Sequence, residues 1–152
     1  MPSIPAKLER ELCLLRDRTI LLFDLPESRL KRRYRRGGWT AREVLVHIAD
    51  TEAVLMERLR RVAAQPKALI MAFDPDAWAG TLDYSTRDLA IAQSLFAAAR
   101  ASNIELISRH RDEAGRSGVH SEAGTITLAD VAERVRWHND HHLEQVLRAT
   151  GA

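Results

Sequence analysis

At 152 residues, with 23 Lys/Arg against 21 Asp/Glu and a net charge of +2, the chain has room for one domain and a sizeable core. That balance gives no electrostatic case for a nucleic-acid partner. No apolar run approaches the roughly 20 residues needed to span a bilayer, and the single cysteine, Cys13, leaves no internal disulfide and suits a reducing cytoplasm.

Lys7, Glu9, Arg10 and Glu11 interrupt the N-terminal stretch, so it lacks the apolar centre of a secretory leader. From Ile4 to Phe23, Leu8, Leu12, Leu15, Thr19 and Leu22 recur at helical spacing, with Leu14 and Leu21 widening the stripe. This predicts a long first helix ending before Pro26. The run Lys31 to Arg36 has one aromatic, Tyr34, and no nucleic-acid-binding motif around it; it reads as a short solvated helix and connection. Gly37-Gly38 breaks that segment, and Thr40 with Glu43 forms a capping box for a second helix running to about Ala64, before Pro66. Its core arc is Val44, Ile48, Leu55, Leu59 and Val62, with His47 on the edge beside Thr51.

Residues 65–85 are expected to form a long crossover connection with one short helix, begun by Asp74 with Pro75 in its first turn. A third helix is expected from near Thr86, carrying Leu89, Leu95, Phe96, Ala99, Ile104, Leu106 and Ile107. It dissolves into Ala114 to Gly118, and Val119 to Gly124 reads as a polar loop. The pattern defines an all-α class: one domain over residues 1–152, a four-helix bundle with a crossover.

Thr127 and Asp130 resemble a second capping box, with Asp for the usual Glu or Gln, and open the last helix. Its inward stripe is Leu128, Val131, Val135, His138, His142, Gln145 and Ala149. At about 100° per residue, His138 and His142 differ by about 40° and stand one turn apart on one face. His141 points about 100° away from His142 by the same geometry. A lone His on an apolar face is ordinarily a hydrogen-bonded core residue. Two in one stripe need partners once buried, and the spacing is that of two metal ligands on one helix. The order is not His-Glu-x-x-His, since Asn139 stands where that motif has its Glu, so a classical metalloprotease is disfavoured. His47, placed opposite in a bundle, supplies a third ligand.

Four stretches together resemble the DinB/YfiT-like family of small metal-binding helical bundles: Gly38-Trp39-Thr40 with Glu43 to Asp50, Phe73 to Ala79, Val119-His120 with Gly124 to Leu128, and Trp137 to Val146. The resemblance implies an up-down-down-up bundle and a metal held by His47, His138 and His142. Relatives of this type are described as metal-dependent hydrolases, and some as S-transferases using a low-molecular-weight thiol such as bacillithiol or mycothiol. They are frequently homodimers, which is the expectation here. Two departures bear on the pocket: such relatives often carry His where this chain has Glu52, and His-Pro where it has His120-Ser121.

Three neutral imidazoles leave a divalent ion, Zn²⁺ foremost and Ni²⁺ or Mn²⁺ as alternatives, its full charge and an open position. Such an ion activates water for hydrolysis of a small molecule, or a thiol for S-transfer. No carboxylate shares the inward stripe, because Asp140 and Glu144 project outward and Asp50 lies about 60° from His47; this favours the thiol. The competing reading is a non-catalytic bundle that the metal pins together as a binding module.

Overall fold

The computed structural model describes residues 2–152. Helix α1 spans Ala6–Ile20 and buries Leu8, Leu12, Leu15 and Thr19. A 3₁₀ turn at Leu21–Asp24 and the four-residue α2, Glu27–Leu30, carry the chain round the bundle end. Helix α3 spans Ala41–Ala64. Its capping box is complete: Thr40 accepts from the Glu43 N–H, and Glu43 Oε2 accepts from the Thr40 N–H at 2.7 Å. After strand β1, Ala68–Ile70, comes α4, Pro75–Thr81, capped by Asp74 with Pro75 in its first turn. Helix α5 spans Leu89–Arg109. A 3₁₀ turn at Arg111–Glu113 and strands β2, Ser117–His120, and β3, Gly124–Thr127, lead into α6, Leu128–Thr150.

Four long helices form the bundle, and α1 and α3 each pack on both α5 and α6. Side-chain pairings give the directions. Arg100 of α5 reaches Leu12 of α1, while Gln93 reaches Ile20, so these two helices are antiparallel. Arg100 and Asn103 reach Glu52 of α3, while Arg42 of α3 reaches Arg87 just before α5, so α3 and α5 are parallel. On α6, Arg136 pairs with Glu11 and Asn139 with Thr19, which makes α6 parallel to α1. The result is the expected up-down-down-up bundle, and no helix among the described residues is long and apolar enough to cross a membrane.

Two expectations needed correction. The presumed polar loop at Val119 to Gly124 is a hairpin, and residues 65–85 contribute its neighbour: β1 runs parallel to β2 with Leu69 opposite Val119, and β2 antiparallel to β3 with Val119 opposite Thr125. Three- and four-residue strands show no readable alternation, and β1 finds its partner some fifty residues away in sequence. Gly118 is required there, because a Cβ would lie 2.7 Å from the Ala68 carbonyl oxygen. The third long helix begins at Leu89 and not near Thr86, because Asp88 accepts from the Ala90 and Ile91 N–H groups at 2.8 and 3.1 Å.

The core falls into two apolar clusters. One holds Leu15, Phe23, Leu45, Ile48, Phe96 and Val146; the other holds Leu8, Leu12, Leu59, Ile107, Val131 and Val135. Between them α3, α5 and α6 place a polar layer of His47, Glu52, Arg100, Asn103, His138 and Asn139, all buried.

Candidate metal centre

His47 comes from the second turn of α3, where the Thr40 cap and the buried Val44 and Ile48 fix which face turns inward. His138 and His142 come from mid-α6, between Val135 and Val146 of the same buried stripe. The ring centroids lie 4.8 Å apart for His47–His138, 4.5 Å for His47–His142 and 4.4 Å for His138–His142. One nitrogen from each ring lies within 4.8 Å of the others. His47 and His138 are buried, at 3% and 5% exposed, and His142 is half-buried.

The hydrogen bonds around the rings set which nitrogen faces inward. His142 Nδ1 donates to Gln145 Oε1 at 2.7 Å, leaving Nε2 as a lone pair. Thr51 Oγ1 lies 3.4 Å from His47 Nδ1, so His47 Nε2 likewise turns to the centre. His47 Nε2 is 3.2 Å from His142 Nε2 and 2.9 Å from His138 Nε2. Bonds of 2.0–2.1 Å at tetrahedral angles would place ligand nitrogens about 3.3–3.4 Å apart. The donor set therefore fits a divalent ion with outward shifts of a few tenths of an ångström. Where no cation lies between them, one ring can donate across the 2.9 Å contact; a cation would take up the lone pairs of all three rings instead.

Electrostatics keep the rings available. Burial pushes His47 down to about 3, with the charge of His142 adding to the effect. Burial also pushes His142 down to about 4, partly offset by the Gln145 hydrogen bond and reinforced by His141 and Arg134. Burial, then His142 and His47, hold His138 well below its usual range. All three are neutral near pH 7, the form in which imidazole binds a metal.

A cavity of about 260 Å³ opens onto the triad, with Arg58, Phe73, His120, Arg134 and Trp137 among its walls. His141 is exposed and stacks on Trp137 with centroids 4.9 Å apart; it lines the cavity outside the cluster. Trp39 and Trp137, which helix spacing does not mark as site residues, also flank the triad: Trp39 stands edge-on to His47 at 4.9 Å and Trp137 forms a wall. The position of Trp39 just before the Thr40 cap was the available signal. Gln145 was legible as a stripe member but not as the partner of His142. Glu52 does not reach the centre, because five residues beyond His47 it turns to Arg100 at 2.8 Å. Asp50 bonds the Tyr84 hydroxyl at 2.8 Å and also stays away.

An up-down-down-up bundle with three histidines converging from two helices defines a class of helical proteins with a metal-type donor set. The chain belongs to the DinB superfamily, whose sequence profile matches residues 12–146. A protein of Oceanobacillus iheyensis named as a putative metal-dependent hydrolase is 30% identical over 129 residues, covering 82% of this chain and 73% of that one. Bacillus subtilis YfiT, which carries the same description, is 25% identical over 148 residues, covering 96% and 78%. The solved structure of YfiT, described as a probable metal-dependent hydrolase with an unusual four-helix bundle topology, matches with a TM-score of 0.77 at 22% identity. The match covers 99% of this chain and 89% of that one.

Proposed function

We propose that the chain is a metal-dependent enzyme acting on a small molecule, with His47, His138 and His142 holding Zn²⁺ and a low-molecular-weight thiol as the nucleophile. The observation that carries this reading is the convergence of three neutral imidazoles at the wall of an open cavity. Three nitrogen ligands suit Zn²⁺ and leave a coordination position free. When bound, such an ion supplies a Lewis acid that acidifies a thiol or water brought to that position.

The remaining work belongs to the chain's own side chains. Gln145 holds the His142 tautomer, Trp39 packs against the open edge of His47, and the bundle core on either side fixes both helices. Among the described residues no carboxylate is hydrogen-bonded to a triad histidine. Such a group would orient and polarise a ligand ring, and a hydrolase would in addition place a general base within reach of the metal-bound water; a thiol ionised at a metal needs no such base. Hydrolysis remains the second reading, favoured by the names of the relatives and by Glu122 on the cavity wall.

Cobalt substitution separates the readings. In Co²⁺-loaded protein, titration with small thiols is expected to produce sulfur-to-metal charge-transfer absorption that strengthens as pH rises toward the thiol pKa. Metal-dependent conjugation of that thiol to an electrophile should follow. Ester or amide cleavage without thiol would move the assignment to hydrolase. A spectrum indifferent to thiols and substrates, with unfolding on chelation, would replace both by a structural metal.

A further inference from the structure

The wall of the cavity carries a feature that the triad does not use. Arg58 of α3 and Arg134 of α6 both line it, and both also line a second chamber of about 340 Å³ walled by Leu55, Ile126 and Val131. The two chambers therefore meet at the arginines. Neither guanidinium forms a salt bridge among the described residues. Both are nevertheless held in place. Arg134 lies over the Trp137 ring at 4.3 Å, and Arg58 lies near the Phe73 ring at 5.9 Å while donating to the Met71 carbonyl at 2.9 Å.

His120, at the end of β2, lines both chambers as well. Its Nδ1 accepts the Glu122 and Ala123 N–H groups, each at 3.2 Å. Its proton therefore sits on Nε2, and the ring adds a donor. Of the carboxylates at these walls, Asp130 is held by the Thr127 cap, and neither it nor Glu122 forms a salt bridge with either arginine. Burial first, and the charge of Arg134 second, press on the Arg58 guanidinium, partly offset by the charge of Glu57. Two guanidiniums on a shared wall, neither in a salt bridge and both set against aromatic rings, make an oxyanion receptor.

We propose that Arg58 and Arg134, with His120, bind an oxyanion of the substrate, so that the substrate is an anionic amphiphile. Its carboxylate or phosphate sits at the arginine pair, its reacting group extends toward the histidines, and an apolar portion enters the chamber of Leu55, Ile126 and Val131. This rests on the small-molecule reading above, but the anion contact itself needs no metal.

Calorimetric titration of the full chain, metal-free and Zn²⁺-loaded, with hexanoate, hexyl phosphate, 1-hexanol and hexylamine tests it. Hexanoate or hexyl phosphate is expected to bind both forms, and whichever binds more tightly names the oxyanion. The neutral and cationic probes should bind at least tenfold more weakly. Arg134→Gln, at an exposed side chain that leaves the fold intact, should weaken the anion at least tenfold while Zn²⁺ stoichiometry stays at the wild-type value. Arg58→Gln should act likewise, and circular dichroism checks that it keeps the helical content. Anion binding that needs Zn²⁺, that Arg134→Gln leaves unchanged, or that hexanol matches would overturn the proposal. Absence of any anion binding would do so too. Should Zn²⁺ fail to bind the wild type while the anion still does, the metal assignment falls and the oxyanion site stands.

Discussion

At the scale of single residues, the candidate centre depends on which nitrogen each imidazole presents. His47→Ala, His138→Ala and His142→Ala are each expected to lose bound metal by elemental analysis, because two nitrogens cannot hold what three hold. His141→Ala should retain it, since that ring stacks on Trp137 outside the cluster. Gln145→Leu leaves the three ligands but frees the His142 tautomer; metal affinity is expected to fall about 10–100-fold. Full occupancy in His142→Ala would show that the wrong face of α6 has been chosen. The pairing of His138 with His142 is legible in sequence because i,i+4 geometry is local. The arrival of His47 from another helix is not local; it follows from the bundle class together with the family resemblance carried by Gly38 to Thr40 and Glu43 to Asp50.

At the scale of helices, a buried ionic cluster ties α1, α3, α5 and α6 together beside the triad. Arg100 donates to both Glu52 oxygens at 2.8 and 2.9 Å, to Asn139 Oδ1 at 2.8 Å and to the Leu12 carbonyl at 3.1 Å. Asn103 donates to Glu52 Oε1 at 2.8 Å, and Asn139 to Thr19 at 2.9 Å. Arg100 and Glu52 are almost fully desolvated. Arg100→Leu would strand a buried carboxylate and is expected to cost about 3–5 kcal/mol in chemical denaturation. Adding Glu52→Leu to it should recover most of that loss, since replacing both partners of a buried pair is often neutral. No recovery would mean that packing, not charge, makes the pair matter. Apolar patterning does not reveal the cluster, because it picks out Phe96 and Ile107 of α5 but not Arg100 and Asn103, which lie in the same buried stripe.

At the scale of the molecule, the triad couples stability of the metal-free protein to pH. The folded-state pKa values of His47 and His142, about 3 and about 4, lie below the ordinary 6.5, so the unfolded chain takes up these protons first. Stability from these groups is therefore present above pH 6.5 and lost as pH falls toward 3–4. Each group contributes a slope of at most about 1.4 kcal/mol per pH unit. Denaturation midpoints of metal-free protein should fall between pH 6.5 and 5, and His138→Ala should flatten that decline. An equal slope in wild type and variant would show that these imidazoles do not govern it.

What the sequence determined by itself is the local part of this molecule. The capping boxes at Thr40–Glu43 and Thr127–Asp130, the Pro75 helix start and the shared face of His138 and His142 all follow from hydrogen bonds and side-chain spacings within one turn of helix. The family resemblance supplied the bundle's up-down-down-up order. Tertiary structure alone decided the rest: the parallel pairing of β1 with β2, the burial of Arg100 against Glu52, and the meeting of Arg58 with Arg134 between two chambers. Each joins residues far apart in the chain through the packing of whole helices. A residue's neighbours within a turn are set by backbone geometry, whereas its neighbours across the bundle are set by which faces the entire core can bury at once.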